Sequence, residues 1–192
     1  FHSPLRRPQV PVFTPVLSHD GRDLASALAT IAAVEGAAAI NEAVSDAFPD
    51  STIGFEADDD VLALTMRMPG LNRSFSALEL SDGTLQYLCL IAALLSPRPA
   101  SFLALNEPET SIHPSLYEAM ARLIVQAGKK SQLWVTTHSE ELARYIEKAA
   151  GVKAIELEKV NGATCVVGAK LSPESEEEDY DDDDRSDSSR AG

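Results

Sequence analysis

The chain has 192 residues, is 44% hydrophobic and carries a net charge of −14. That length and composition suit one globular domain with a sizeable core. No run of 18 apolar residues occurs, which argues against a transmembrane helix. Residues 1–22 contain four prolines and no continuous apolar stretch, so no signal peptide is expected.

The charge is unevenly distributed. Residues 173–192 hold ten acidic and two basic side chains, so this segment carries −8 of the total. No basic groove for nucleic acid is visible, although a local patch remains open. The two cysteines, Cys89 and Cys165, fall in a predicted helix and a predicted strand and read as small buried apolar side chains. A cytoplasmic location is expected. The chain opens without methionine and in mid-pattern, so a fragment or the C-terminal portion of a longer protein is expected.

Residues 1–21 form an extended segment with Pro4, Pro8, Pro11 and Pro15, closed by the turn signal Asp20-Gly21. Residues 22–50 are alanine-rich, with Leu24, Leu28, Ile31, Ile40 and Val44 at helical spacing. Two helices divided at Gly36 are predicted, forming an insertion or lever. Strands follow over 51–57 and 61–68, with Leu62, Leu64, Met66 and Met68 on the apolar face. A helix is predicted over 83–95 and a second over 114–128, with Pro114 in its first turn and Gly128 as its cap. The apolar runs 101–105 and 131–137 read as strands, the first buried on both faces. A helix over 140–150 stopped by Gly151, then a hairpin around Asn161-Gly162, complete the core of 51–171. Residues 172–192 are low-complexity and acidic and are expected to be disordered. Helix–strand–helix–strand–helix between 83 and 150 implies parallel strands and an α/β class.

Chemistry-bearing residues gather at three points. The strand 101–105 ends abruptly in Asn106-Glu107-Pro108-Glu109. Ligands bind at this end of strands in open α/β sheets, so Glu107 is a carboxylate held at the mouth of a sheet. Upstream, Ser81-Asp82-Gly83-Thr84 opens a helix, a place suited to binding an anion but equally suited to a plain helix cap at Ser81 or Asp82. Downstream, the second strand ends at His138. Zinc-ligand spacing, a nucleophile elbow and an ordered Ser/His/Asp set are all missing from the sequence.

In this order and spacing the three motifs resemble the C-terminal half of an ABC-type ATPase core, closest to the RecF/SMC-like predicted AAA-family ATPases. The resemblance covers about residues 78–146. It implies a P-loop NTPase-like, ABC-type head with a parallel-sheet core, binding ATP and Mg2+ and hydrolysing ATP in the cytoplasm as a dimer with a second copy of the same head. Glu107 then occupies the place of the catalytic base beside the Walker B position. Asn106 stands where that family usually has an aspartate supporting magnesium-bound water, and the lost charge weakens magnesium binding. Ser81, Asp82, Gly83 and Thr84 stand at the signature, which closes on the γ-phosphate held by the other subunit; Asp82 replaces a glycine and Thr84 a glutamine. His138 matches the γ-phosphate switch histidine. Ser111 and His113 match the loop that meets the partner subunit. No G-x-x-x-x-G-K-[ST] loop is present, so the phosphate loop is expected from an N-terminal half or another chain, and the isolated chain is expected to be inactive. A non-hydrolysing, ATP-gated dimerisation module is the alternative. DNA repair, phage defence and toxin–antitoxin roles are all compatible with such a head.

Overall fold

The computed structural model describes residues 4–58 and 60–168. The expectation for residues 172–192 therefore lies outside the described residues. The described residues fall into two units that divide after Ala154.

The first unit is built on helices that share one apolar core. Helix α1 (Leu24–Glu35) buries Leu24, Leu28 and Ile31. Gly36, at φ 93°, breaks the chain where the periodicity predicts, because that backbone conformation suits only glycine. Helix α2 (Ala37–Ala47) then buries Ile40 and Val44. Both helices pack on α3 (Asp82–Leu94), whose Leu85, Leu88 and Ile91 are wholly enclosed. Phe48, just past α2, meets Tyr87 of α3 edge to face at 5.6 Å. Helix α4 (Tyr117–Ala127) is tied to α2 by a two-pronged pair in which Arg122 donates to both oxygens of Asp46.

Beside these helices lies an antiparallel sheet of β1 (Thr52–Asp58), β2 (Val61–Arg67) and β3 (Ser74–Ser76). Leu62, Leu64 and Met66 are buried as the alternation predicts, and Met68 packs against the core. Thr65 is buried too, on the opposite face. Strand β3 is too short, at three residues, to leave a periodic signal. The Pro-rich segment is pinned to this sheet by reciprocal backbone bonds between Gln9 and Leu62.

Strands β4 (Phe102–Asn106) and β5 (Gln132–Thr136) pair in parallel through the α4 crossover, with Phe102 opposite Gln132 and Asn106 opposite Thr136. Helix α5 (Glu140–Ala150) follows, caps on left-handed Gly151 and packs on α4. Gly128, which follows α4, stays right-handed instead. The first turn of the predicted 114–128 helix is a 3-10 turn, Pro114–Leu116.

The expectation that β4 is buried on both faces is corrected. Leu103, Leu105, Leu133 and Val135 pack against the helical core. The other face carries Phe102, Ala104 and Asn106 of β4 with Gln132, Trp134 and Thr136 of β5, and all six are exposed. Trp134 is 62% exposed and Phe102 50%. An apolar run does not reveal which of its faces has a partner within the same chain.

The second unit is the hairpin β6 (Leu157–Val160) and β7 (Ala163–Val166), turned by Asn161 and Gly162, both at positive φ as a type I′ turn requires. Cys89 and Cys165 are free thiols and only half-buried, rather than enclosed. Among the described residues no helix is long and apolar enough to cross a membrane.

Candidate functional site

The parallel pair β4–β5 ends in two turns that lie side by side. The Glu107 amide donates to Thr136 O, which extends the ladder by one bond, and the chain then breaks away because Glu107 adopts φ 46°. A left-handed glutamate is strained by roughly 1 kcal/mol or more, and such strain gathers at functional sites. Pro108 is buried and stiffens the turn. The Thr110 amide closes it by donating to Glu107 O.

The carboxylate of Glu107 sits 3.3 Å, Oε1 to Nε2, from His138. These two residues, 31 apart in sequence, are brought together because each directly or closely follows a strand of the same parallel pair. His138 is almost fully exposed and Glu107 partly so, so both can reach a ligand above the strand ends. Asn106 lies one residue earlier, where its Oδ1 accepts a hydrogen bond from the Thr136 hydroxyl at 2.8 Å. Behind them Ser139 caps α5, with Oγ accepting from the Leu142 amide.

A second group forms around the N-terminus of α3. Ser81 is its N-cap: Oγ accepts from the Thr84 amide at 3.0 Å and meets the Thr84 hydroxyl at 2.8 Å. The helix cap expected at Ser81 is thus formed in the structure. Asp82 Oδ1 pairs with Arg6 Nη2 at 2.5 Å. Gly83 lies directly against the backbone of Ser111. Ser111 is itself left-handed, at φ 66°. His113 Nδ1 accepts from the Ser115 amide, so the neutral imidazole carries its proton on Nε2. Ser81, Gly83, Thr84, Ser111 and His113 line one cleft of about 480 Å³. The signature-like residues and the loop after Glu107 therefore share a surface depression, while Glu107 and His138 form their own cluster at the strand ends.

The tertiary contacts of three residues are not apparent from the motifs. Arg6 is buried, and its guanidinium donates to the carbonyls of Ala77, Leu78 and Leu80 as well as to Asp82. It holds the segment leading into α3, and it gives Asp82 a partner in the position where a glycine would be expected. Glu109 and Thr137 join the two turns that carry Glu107 and His138. One of two adjacent arginines in a Pro-rich stretch, Arg6 gives no sequence signal of a tertiary partner more than 70 residues away.

Among the described residues no group of three or more His, Cys, Asp or Glu side chains could hold a metal ion. Asn106 Oδ1 and the Glu107 carboxylate are the side-chain oxygens at the strand ends that could meet a hard cation, too few to hold one without other ligands.

A family model described as "AAA domain, putative AbiEii toxin, Type IV TA system" matches residues 14–144. No curated protein matches the chain. Among solved structures, one from a study of ATP-driven dimerisation and DNA-stimulated activation of SMC ATPases is similar at TM-score 0.54 and 18% identity. That alignment covers 75% of this chain and 88% of the other. An Smc head bound to the C-terminal winged-helix domain of ScpA aligns at TM-score 0.59 and 17% identity, over 81% of this chain and 55% of that one. A Pyrococcus furiosus Smc head with an extended coiled coil, bound to the C-terminal domain of ScpA, aligns at TM-score 0.55 and 19% identity, over 68% of this chain and 33% of that one. The chain thus spans most of the first structure but only about half and a third of the other two. At these identities the likeness establishes the fold, a mixed α/β head of the P-loop NTPase kind.

Proposed function

Since this chain belongs to the AAA-domain family whose model spans residues 14–144, we propose that it supplies the signature, Walker B and switch-histidine elements of an ABC-type ATPase head. Completed by a phosphate loop, the head binds Mg-ATP, dimerises with a second copy around nucleotide, and hydrolyses it. The observation that carries this reading is the 3.3 Å approach of His138 to Glu107 at the C-terminal ends of adjacent parallel strands.

Hydrolysis needs a water placed in line with the γ-phosphate and a group to accept its proton. Glu107 is that base: its carboxylate stands at a strand tip on a rigid turn and is open to solvent. His138, beside it, touches the γ-phosphate and orients it against the water. Asn106 would offer a bound magnesium ion's water shell its amide oxygen, which is uncharged and already shared with Thr136. The bound ion would neutralise charge on the phosphates. Ser81, Gly83 and Thr84, at the positive end of α3, clamp the γ-phosphate held by the partner head, and Ser111 and His113 face that head across the dimer.

The open face of β4–β5 supports completion by further chain. Parallel sheets are covered on both faces, and a two-stranded sheet is marginal alone. A segment bearing the phosphate loop covers Phe102 and Trp134. The isolated chain then shows no turnover above a no-protein blank.

The test is Glu107→Gln in the complete protein, which keeps size and one acceptor but cannot take a proton. Turnover falls roughly 100-fold or more, while ATP still binds and the nucleotide-bound dimer accumulates. Wild-type turnover in this variant would remove Glu107 as base and favour the non-hydrolysing, ATP-gated module, which the neutral Asn106 would also suit.

A further inference from the structure

We infer that Glu109 is a positioning residue that locks the turn carrying His138 onto the turn carrying Glu107. Its role in turnover rests on the ATPase reading above; the lock itself does not. Glu109 Oε1 accepts two hydrogen bonds from the β5–α5 turn. One comes from the Thr137 hydroxyl, the other from the His138 amide at 3.2 Å. The same Thr137 Oγ1 accepts from the Ser139 amide at 2.9 Å, which sets the residue that caps α5. On its own side, the Glu109 carbonyl accepts from the Ile112 amide, so the side chain projects from a turn already closed by backbone bonds. One carboxylate oxygen therefore fixes the backbone on both flanks of His138.

The consequence is mechanical. His138 is 88% exposed and touches little besides Glu107; nothing in its own packing holds the imidazole at 3.3 Å from that carboxylate. Its direction comes from the backbone of residues 137–139, and that backbone is held by Glu109. The second carboxylate oxygen, Oε2, is buried without a protein partner among the described residues. The residue as a whole is half-buried, and its bonded oxygen is directed at the turn of residues 137–138. Glu109 thus acts through His138.

Two measurements in the complete protein test this. The first is NMR of the His138 ring, comparing its chemical-shift response to Glu107→Gln in the parent and in a Glu109→Ala background. The ring responds in the parent and loses that response when Glu109 is removed. Glu109→Gln, which retains an acceptor oxygen, keeps it. The second is turnover: Glu109→Ala lowers kcat roughly 10- to 100-fold with KM little changed, as displacement of a group by about 1 Å does, and Glu109→Gln restores most of it. If Glu109→Ala fails to fold, Thr137→Val breaks the same lock from the other side and is read by the same ring signal. A His138 response that survives both Glu109→Ala and Thr137→Val overturns the inference. Because the ring signal needs no hydrolysis, a complete protein without ATPase activity would defeat the functional reading and leave the lock to be judged by NMR alone.

Discussion

Gly83 lies so close to Ser111 that a Cβ built on it would stand 2.7 Å from the Ser111 carbonyl oxygen. The contact joins the first turn of α3 to the loop that follows Glu107, and it is a backbone contact that no side-chain rotation relieves. Glycine is therefore demanded here by space, although its position inside a helix disfavours it by roughly 1 kcal/mol against alanine. Gly83→Ala gains that propensity but overpacks the contact, which costs about 1–3 kcal/mol. A lower urea midpoint at unchanged slope is expected. A midpoint equal to or above the parent's would mean that the two loops separate freely.

Arg6 offers a second test. Its buried guanidinium satisfies three carbonyls ahead of α3, so Arg6→Met leaves them without donors at a cost of roughly 2–4 kcal/mol. Asp82→Ala removes only an exposed partner and costs no more than about 1 kcal/mol. Thermal melts of the two variants should therefore differ clearly. Equal losses would show that the ion pair, and not the carbonyl clamp, holds the segment.

Cys89 gives a pH dependence. Burial, with a smaller contribution from the Asp23 charge, pushes its thiol up from 9.0 to about 12. The folded state thus disfavours the thiolate, so stability is unaffected below pH 9 and falls as pH rises from there toward 12. Between pH 7.5 and pH 10 the parent should lose on the order of 1 kcal/mol more than Cys89→Ala, measured by urea unfolding at both pH values. Parallel losses in the two proteins would place the thiol in contact with solvent.

Trp134 is the only tryptophan in the sequence, and it lies on the open face of the parallel pair. Its emission in the isolated chain should be red-shifted and readily quenched by acrylamide. Addition of a segment that carries the phosphate loop should shift the emission to the blue and protect it. Unchanged quenching on binding would mean that this face is not where the segment docks.

Asn106 bears on magnesium. Asn106→Asp places a charge where Oδ1 already accepts from Thr136, and a carboxylate makes the stronger charge-assisted bond to a metal-bound water. The magnesium concentration for half-maximal turnover of the complete protein should fall. A rise would indicate repulsion from Glu107.

Elements with a local cause were legible in the sequence. The breaks at Gly36 and Gly151, the cap at Ser81 and the Asn161-Gly162 turn depend on backbone preferences within a few residues, and their helices and strands begin and end near the predicted positions. The apolar alternation of β2 likewise reports its own buried face. Relations between distant residues were not legible, because they depend on which segments the fold brings together. Neither the Pro-rich context of Arg6 nor its neighbours indicates that it reaches the carbonyls of residues 77–80. The run Phe102–Leu105 is apolar throughout, yet only its odd-numbered side chains find a core, since hydrophobicity records a preference for burial and not the presence of a covering layer. The motif order placed Glu107 and His138 at strand ends. Their 3.3 Å approach, and the turn-to-turn bonds of Glu109 behind it, came only from the parallel pairing of β4 with β5.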